Sequence, residues 1–430
     1  MNMKTILIGG AASFALIACG GSQSGDAPEA RSDNGAHAAI SIPEAPEVRT
    51  VTIAADGFAE NLQRALITAQ EGDSVKLPEG VFNLTDGLSL DVARVTLIGA
   101  GQGNTVLSFA DQSGAGEGLL VTSDDVILRD FTMQDTAGDG IKSKGADRII
   151  YYNLTVEWTG EPDESNGAYG IYPVESEDVL IDNVTVRGAS DAGIYVGQSK
   201  NIIVRNSVAE YNVAGIEIEN SIGADVYANR AENNAGGILV FDLPDLPQVG
   251  GHSTRIYGNK ILNNNTRNFA PPGNIVASVP SGTGVIIMAN ENVHVFNNEL
   301  TDNRTAHVIL SAYQDAFADE RYNPLPRNIS VKTNIYSGGG DDPQGTLAPL
   351  ASAVGGRLPP IVWDGVNRWG GGDVVDTNIV IDEADTIGFL SLGLGTYPLD
   401  PANIQPSQDR PRGRNLDRPS KIVLTHASGS

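Results

Sequence analysis

Side chains that could perform chemistry recur at one position of a repeated sequence block. The residue that follows a Gly-Ile pair is Lys142, Tyr172, Tyr195 or Glu217 in four successive blocks. Lysine and tyrosine can act as bases, and a carboxyl group can act as acid, base or nucleophile. If the blocks stack, these side chains form one row, and we assign the four residues as candidate catalytic groups.

A second row is expected two residues further along each block. It contains Lys144 and Glu219, and its neighbourhood is rich in carboxylates. Oxygen ligands of this kind bind Ca²⁺, so Glu217, Glu219 and Asp242 are a candidate calcium site. The candidate substrate-binding residues are the charged or imidazole groups near the two rows: Asp139, Lys144, Asp191, Asp242 and His252.

The rows depend on a repeat of nearly constant length. Gly193, Gly215 and Gly237 are 22 residues apart, and apolar residues alternate with polar ones inside each block. An alternation of period two indicates strands, and a fixed period of this length indicates a repeat architecture. About 22 residues accommodate one coil of three short strands, so the sequence predicts an all-β, single-domain solenoid over residues 49–337.

Asparagines mark one corner of each coil. Asn183, Asn206 and Asn229 are 23 residues apart, and Asn259 and Asn298 continue the series. Stacked amide side chains can form hydrogen-bonded ladders. We therefore expect an asparagine ladder along this corner.

Three longer spacings interrupt the repeat. They correspond to the segments Glu157–Ala168, Asp242–Ser253 and Thr266–Thr283. Insertions in repeat proteins tend to lie on one face, which is often the binding face. We expect these loops to form walls around the two rows.

Several segments resemble one group of known proteins. They are Gly167-Ala-Tyr-Gly-Ile-Tyr-Pro-Val174, Ser190-Asp-Ala-Gly-Ile-Tyr-Val-Gly-Gln198, Gly215-Ile-Glu-Ile-Glu-Asn220 and Gly236-Gly-Ile-Leu-Val-Phe-Asp-Leu-Pro244. Together with the asparagine corners, they are similar to the right-handed parallel β-helix of pectin-lyase-like proteins. Within that fold they resemble a group of bacterial β-helix lipoproteins, often encoded beside a c-type cytochrome-like protein. The resemblance implies a right-handed coil and a cytochrome-like partner.

The residue types in the rows suit an extended sugar chain. Tyrosine offers an apolar platform with a polar tip, and paired carboxyl groups at suitable separations hydrolyse glycosidic bonds. Three interpretations remain open: a solvated face, a carbohydrate-binding groove, and a groove with lyase or hydrolase activity. A non-catalytic envelope scaffold that partners the cytochrome-like protein is the alternative function.

The charge of the chain restricts its partners. The formal net charge is −25, with 53 acidic and 28 basic residues. Nucleic acid is therefore not expected as a partner, and attraction to an acidic polysaccharide would need local cations or calcium. A neutral glycan or a basic protein fits this charge better.

The N-terminal residues indicate export and anchoring. Lys4 precedes a short apolar run, and Leu16-Ile17-Ala18-Cys19 is typical of a bacterial lipoprotein signal. We interpret residues 1–19 as a signal peptide with lipidation at Cys19, and residues 20–48 as a flexible tether. The predicted location is the cell envelope, with a lipid anchor in the outer membrane.

The two ends of the predicted solenoid must be capped. Apolar residues at Leu62, Ala65, Leu66 and Ala69 predict an amphipathic helix over residues 58–70 that caps the first coil. The period fails after residue 337, so we interpret residues 338–430 as an irregular C-terminal cap and tail. The chain is expected to fray from about Gln405.

Overall fold

Short strands stack in register along three faces of the chain in the computed structural model. It describes residues 49–114, 116–369 and 373–424. The predicted signal peptide, the tether and Cys19 lie outside these residues. The strands pair in parallel from coil to coil, and the right-handed parallel β-helix predicted from the sequence is confirmed.

The first and second faces share one 20-stranded sheet, because β8 and β10 run through both. The first face contains β1 (Arg49–Thr52), β2 (Asp73–Lys76), β5 (Thr96–Ile98), β8 (Ile127–Gln134), β10 (Ile150–Glu157), β12 (Glu177–Asp182), β15 (Lys200–Arg205), β18 (Ile222–Tyr227), β21 (His252–Tyr257), β24 (His294–Phe296), β27 (Ser330–Lys332) and β31 (Val380–Asp382). The second face adds β3 (Gly80–Asn83), β6 (Thr105–Ser108), β13 (Thr185–Arg187), β16 (Val208–Glu210), β19 (Arg230–Glu232), β22 (Lys260–Leu262), β25 (Glu299–Thr301) and β28 (Ile335–Ser337).

The third face is a separate 11-stranded sheet that carries both predicted rows. Its strands are β4 (Leu88–Leu90), β7 (Leu119–Val121), β9 (Ile141–Lys144), β11 (Tyr169–Val174), β14 (Ala192–Gly197), β17 (Ala214–Glu219), β20 (Gly236–Phe241), β23 (Thr283–Met288), β26 (Ala306–Ser311), β29 (Ile361–Trp363) and β32 (Phe389–Ser391). The strands β30 (Val366–Trp369) and β33 (Gly395–Tyr397) form a small pair.

The helices are few and short. They are α1 (Phe58–Ile67), α2 (Ala348–Ala353) and the 3₁₀ turns Ile275–Ser278, Gly345–Leu347 and Pro401–Asn403. In α1 the buried side chains are Phe58, Leu62 and Leu66, which pack into the interior of the β-helix as expected for a cap. Among the described residues, no helix is long and apolar enough to cross a membrane.

The interior is filled by aliphatic side chains that stack from coil to coil. On the third face, Ile171 pairs with Ile194, which pairs with Ile216, which pairs with Ile238. Each lies next to its equivalents at the strand spacing of about 4.8 Å. The Gly-Ile repeat is thus confirmed as one aligned stack with the isoleucine pointing inward.

Asparagine ladders hold the corners, but their membership differs from the expectation. Asn229, Asn259 and Asn298 form a buried ladder, in which each amide accepts the backbone N–H of the preceding coil. Asn183 and Asn206 lie one position earlier and adopt positive φ angles instead. The 23-residue spacing of the asparagines does not mark equivalent positions, because the coil that ends at Asn229 is one residue shorter than the coil before it.

The sequence analysis missed a second ladder, which contains Asn212, Asn234 and Asn264. This ladder explains the repeated glycine. A Cβ on Gly215 would lie 2.8 Å from the Asn234 amide nitrogen and 2.6 Å from the Gly237 carbonyl oxygen. Only glycine therefore allows the coils and the ladder to approach this closely.

The coils extend beyond residue 337. β29 and β32 add two strands to the third face, and β31 adds one to the first. Long insertions separate these strands and hide their period in the sequence. Parts of the tail contact the β-helix, since Arg418 lies 3.8 Å over the Phe296 ring and the Ile422 N–H donates to Asp225. The expected fraying from Gln405 stays a prediction, since none of residues 405–424 is buried.

We predict that Asn234→Ala lowers the free energy of unfolding by about 2–4 kcal/mol. The change removes a fully buried amide that donates a hydrogen bond to the Ala209 carbonyl and accepts one from the Asn212 backbone N–H. Denaturant titration measures the effect. Asn403→Ala, at an exposed asparagine, is the matched control and should change stability by less than about 0.5 kcal/mol. Equal effects of the two substitutions would contradict the ladder's structural role.

Candidate functional site

The two predicted rows lie in register on the outward side of the third face. Lys142 pairs with Tyr172, and Glu217 lies between Tyr195 and Leu239. In the second row Glu219 lies between Gly197 and Phe241. The order of side chains along the face is the order that the repeat predicts.

The C-terminal part of both rows is covered, which the sequence analysis did not anticipate. Only 1 % of Glu217 and 7 % of Glu219 is exposed, and Tyr195 is 5 % exposed. Residues 266–282, here called the covering segment, place Phe269 and Val276 in the same apolar cluster as Tyr195. The predicted solvent-facing groove is therefore wrong for Tyr195, Glu217 and Glu219.

The residue types in the rows explain why the covering segment packs onto them. Beyond Glu217 and Glu219 the outward residues become Leu239, Phe241 and Ile286, which are buried with the covering segment. A contiguous apolar surface of this kind is unfavourable in water. The Thr266–Thr283 insertion therefore packs onto the face instead of forming an upright wall beside it.

The N-terminal part of the first row remains accessible. The Lys142 ammonium lies 3.4 Å from an Asp139 carboxylate oxygen, 3.7 Å from a Glu117 oxygen and 4.7 Å from the Tyr172 ring centre. The Lys142 side chain is 23 % exposed, and that of Glu117 is 34 % exposed. We call Glu117, Asp139, Lys142 and Tyr172 the open cluster.

Lys144 occupies the edge of the same surface. Its side chain is well exposed and its ammonium lies 3.8 Å from Glu175. Lys142 and Lys144 therefore lie along one strand, β9, but each lysine has its own carboxylate partners. Glu117 and Glu175 were missed because neither occupies a repeat position after a Gly-Ile pair.

Three tyrosines separate the open cluster from the buried acids. The ring centre of Tyr169 lies 4.4 Å from that of Tyr172 and 4.7 Å from that of Tyr195. Tyr172 and Tyr195 meet edge to face at 5.0 Å. Tyr169 precedes the Gly-Ile pair of its block, so the row pattern did not include it.

Behind the tyrosines, Asp191, Glu217 and Glu219 form the buried acid group. Asp191 accepts a hydrogen bond of 2.9 Å from Asn274 of the covering segment, and Glu219 accepts one of 2.7 Å from the Tyr195 hydroxyl. Neither carboxyl oxygen of Glu217 has a hydrogen-bond partner among the described residues. An ionised carboxylate without partners is costly in such a place.

Burial perturbs all three carboxyl groups in the same direction. It raises the pKa of Asp191 to about 7, with a smaller contribution from the charge of Asp139. Burial, together with the charges of Asp191 and Asp242, raises the pKa of Glu219 to about 7. The pKa of Glu217 is raised well above its usual range by burial and by both acidic neighbours. The group therefore retains protons close to neutral pH.

Asp139 is the accessible carboxyl group whose pKa is also raised, because burial outweighs the opposing effect of Lys142. Burial of the phenol, with nearby carboxylates, raises the pKa of Tyr172 to about 12 and also raises the pKa of Tyr195 well above its usual range. Both tyrosines thus stay protonated at neutral pH. This argues against the tyrosines as general bases and leaves them as ring platforms and hydrogen-bond donors.

Two predicted substrate-binding residues, Asp242 and His252, do not belong to the open cluster. The Asp242 carboxylate accepts the backbone N–H groups of Gly250 and Gly251 at 3.0 and 2.8 Å, so it fixes the loop after β20. His252 begins β21 on the first face and pairs with Ile222, because that loop turns the corner between faces. His252 therefore does not share the face that carries Lys142 and Glu217.

The predicted calcium site is not assembled. Within residues 49–114, 116–369 and 373–424, no three His, Cys, Asp or Glu side chains are arranged to hold a metal ion. Asp242 is engaged by its own loop and Glu219 by Tyr195, which leaves Glu217 without the other two predicted ligands. The structure therefore does not bring the three predicted Ca²⁺ ligands Glu217, Glu219 and Asp242 together, and calcium binding stays a prediction.

We predict that stability falls as the pH rises from 5 to 8. The folded protein binds more protons than the unfolded chain in this range, because the folded-state pKa values of Asp191 and Glu219 are raised to about 7. Glu219→Gln should remove about 2–3 kcal/mol of this dependence, since the amide cannot ionise. Denaturant titrations at both pH values measure it.

Glu164→Gln, at an exposed glutamate, is the matched control and should leave the pH dependence unchanged. Glu217→Gln should increase stability at pH 8 relative to the unsubstituted protein, because it replaces a buried acid that lacks partners. An undiminished pH dependence in both buried variants would rule out the buried acid group as its source.

Sequence comparison finds relatives with the same architecture. The family model described as "Right handed beta helix region" matches residues 100–242 and 139–334. The pre-neck appendage protein of Bacillus phage phi29 is 24% identical over 436 residues, covering 88% of this chain and 48% of the phage protein. That of Bacillus phage PZA is 24% identical over 440 residues, with the same shares. The chain spans about half the length of these curated relatives.

Solved structures with similar folds come from different bacteria. The surface adhesin PfbA of Streptococcus pneumoniae has a TM-score of 0.49 at 13% identity, covering 80% of this chain and 88% of the adhesin. A family 28 exopolygalacturonase of Yersinia enterocolitica has a TM-score of 0.48 at 13% identity, covering 87% and 79%. The A-module of a mannuronan C-5 epimerase of Azotobacter vinelandii has a TM-score of 0.47 at 14% identity, covering 81% and 97%. Since the family model spans more than half of the sequence, this chain belongs to the right-handed β-helix family.

Proposed function

We propose that the protein binds a polysaccharide on the open part of the third face. The observation that supports this proposal is the open cluster, in which Lys142 lies between two carboxylates and above the Tyr172 ring. Carboxylates and an ammonium group bind sugar hydroxyls through charge-assisted hydrogen bonds. The tyrosine ring supplies the apolar contact that a sugar ring requires.

The binding surface has a defined length. Ser89, Leu120, Lys142 and Tyr172 follow one another in register and retain exposed surface. Four strands at about 4.8 Å give a track of about 14 Å along the axis. The covering segment then buries Tyr195, so a glycan on this track meets a wall after Tyr172. The site accordingly receives one end of a sugar chain.

The charge of the site favours a neutral glycan. Lys142 is matched by Asp139 and Glu117, and the chain as a whole carries −25. A polyuronate would meet uncompensated negative charge on approach. Hydroxyl-rich neutral sugars can instead donate to Asp139 and Glu117 and accept from Lys142.

Glycoside hydrolysis is a second candidate function, favoured by carboxyl groups whose pKa values are raised by burial. The pKa of the partly exposed Asp139 is raised, and that of Asp191 is raised to about 7. A hydrolase uses one such group as acid and a second carboxylate as base or nucleophile. Lyase chemistry is less well supported, because the raised pKa values of Tyr172 and Tyr195 disfavour a tyrosinate base. Participation of Asp191 would require the covering segment to withdraw.

We further propose that the protein is a lipid-anchored component of the cell envelope. The support is the sequence Leu16-Ile17-Ala18-Cys19 after a basic start and an apolar run. Diacylation at Cys19 would provide two chains, which suffice for stable attachment. Residues 20–48, predicted as a tether, would then link the anchor at Cys19 to the β-helix.

We expect Lys142→Ala to weaken glycan binding by about tenfold, the equivalent of one charge-assisted contact. A panel of neutral and acidic oligosaccharides identifies the ligand, and calorimetry gives the dissociation constant. Lys200→Ala is the control, since this exposed lysine begins β15 on the first face. Unchanged binding by Lys142→Ala, for a glycan that binds the parent protein, would remove the open cluster as the site.

The same panel of oligosaccharides distinguishes hydrolysis, glycan recognition without catalysis, and the scaffold function. New reducing ends that disappear in Asp139→Asn would establish hydrolysis, whereas binding without products would leave recognition as the function. Absence of glycan binding, with recovery of a c-type cytochrome-like protein by the intact chain, would favour the scaffold.

The anchor has its own test. Cys19→Ser should move the protein from the membrane fraction to the soluble fraction of expressing cells and abolish incorporation of labelled palmitate. Ser22→Cys provides the control, because a thiol three residues further on should not change the fractionation. A membrane-bound Cys19→Ser protein would contradict lipid attachment at this residue.

A further inference from the structure

A cavity of about 270 Å³ lies over the C-terminal part of the third face. Its floor is formed by Ile286, Ile309 and Val362, which pair in register on three adjacent strands. The walls carry further aliphatic side chains: Leu347, Leu350, Leu392, Leu394, Leu399 and Ile404. Among the described residues that line the cavity, none is aromatic.

The walls come from segments that are far apart in sequence. The turn and helix at Gly345–Leu347 and Ala348–Ala353 contribute one side, and residues 392–404 contribute another. Protein interiors are normally packed to crystal density, and an aliphatic lining does not hold water well. A cavity of this composition therefore offers its best contacts to a saturated hydrocarbon.

We propose that this cavity binds an alkyl chain of about eight to ten carbons that carries an uncharged polar head. An apolar cavity of about 150 Å³ accommodates benzene, so 270 Å³ accommodates a medium-length chain. A sugar ring would lack both the aromatic platform and the buried polar partners that it needs. The site is thus separate from the open cluster and does not depend on the glycan proposal.

The rim determines the head group. Ser278, Gln314 and Thr346 are exposed at the rim and can donate and accept hydrogen bonds without charge. The described lining contains no lysine or arginine, and the net charge of −25 disfavours an anionic head such as a fatty-acid carboxylate.

Among the described lining residues one is acidic, Asp364, and its carboxyl group is already hydrogen-bonded. The two carboxyl oxygens of Asp364 accept the backbone N–H groups of Ala312 and Val366 at 2.6 and 2.9 Å. Asp364 is also buried, so it offers no exposed charge to a cationic head. An uncharged head therefore fits both the rim and the wall.

The test is a chain-length series of alkyl tetraethylene glycols, titrated into the full chain by calorimetry below their micelle concentrations. Affinity should rise about fifteenfold from hexyl to octyl, as expected for two buried methylene groups, and level off beyond decyl. No binding of the octyl compound, or affinity that continues to rise through dodecyl, would overturn the proposal.

Two substitutions locate the binding. Thr346→Trp obstructs the rim from an exposed position and should abolish octyl binding without loss of folding, and Ile309→Trp should do the same by filling the floor. Ile335→Trp, on the second face at a residue that is 68 % exposed, is the matched control. Thermal unfolding of each variant establishes that it is folded. Retained octyl binding by a folded Thr346→Trp protein would refute this cavity as the site.

Discussion

The structure depends on keeping successive coils in register, and buried asparagine amides do this. Within a ladder, the side chain of one coil accepts the backbone N–H of the preceding coil and donates to a carbonyl, so a shifted coil would leave buried groups unpaired. A slip by a single residue would also exchange the inward and outward side chains of every strand. The outward rows exist only because this register is enforced.

With the register fixed, the third face divides into three zones. The first presents polar groups around Lys142, the second hides carboxyl groups behind three tyrosines, and the third is apolar from Leu239 onward. The covering segment seals the second zone because the apolar third zone requires a cover. The burial of Glu217 is thus a consequence of its neighbours in the row, and its raised pKa follows from that burial.

The open cluster differs from the buried acid group in its access to solvent. Lys142 retains partial exposure and two carboxylate partners, which is compatible with exchange of hydrogen bonds to a ligand. Asp191 is instead tied to Asn274 of the covering segment, so its chemistry is coupled to the position of that segment. Glycan recognition would therefore use the open cluster as it stands, whereas acid catalysis by Asp191 would require the covering segment to move.

The sequence by itself determined the repeat, the strand alternation and the order of side chains along the third face. These are local properties, since each Gly-Ile step and each corner is specified within about 22 residues. It also indicated α1, because an amphipathic pattern of this length is read without tertiary contacts. It indicated a last coil at Asn378–Ile381, where β31 lies, but it missed β29 and β32, because insertions remove the 22-residue period there.

Only the tertiary structure decided which outward residues meet solvent. The alternation of the strand predicts that the Glu217 side chain points outward from the β-helix. Its burial, however, depends on Phe269 and Val276, which lie some 50 residues later in the chain. The position of His252 on another face and the partners of Asp242 were likewise set by how one loop turns the corner. Contacts between segments distant in sequence leave no periodic signal, because the residues that make them share no fixed spacing.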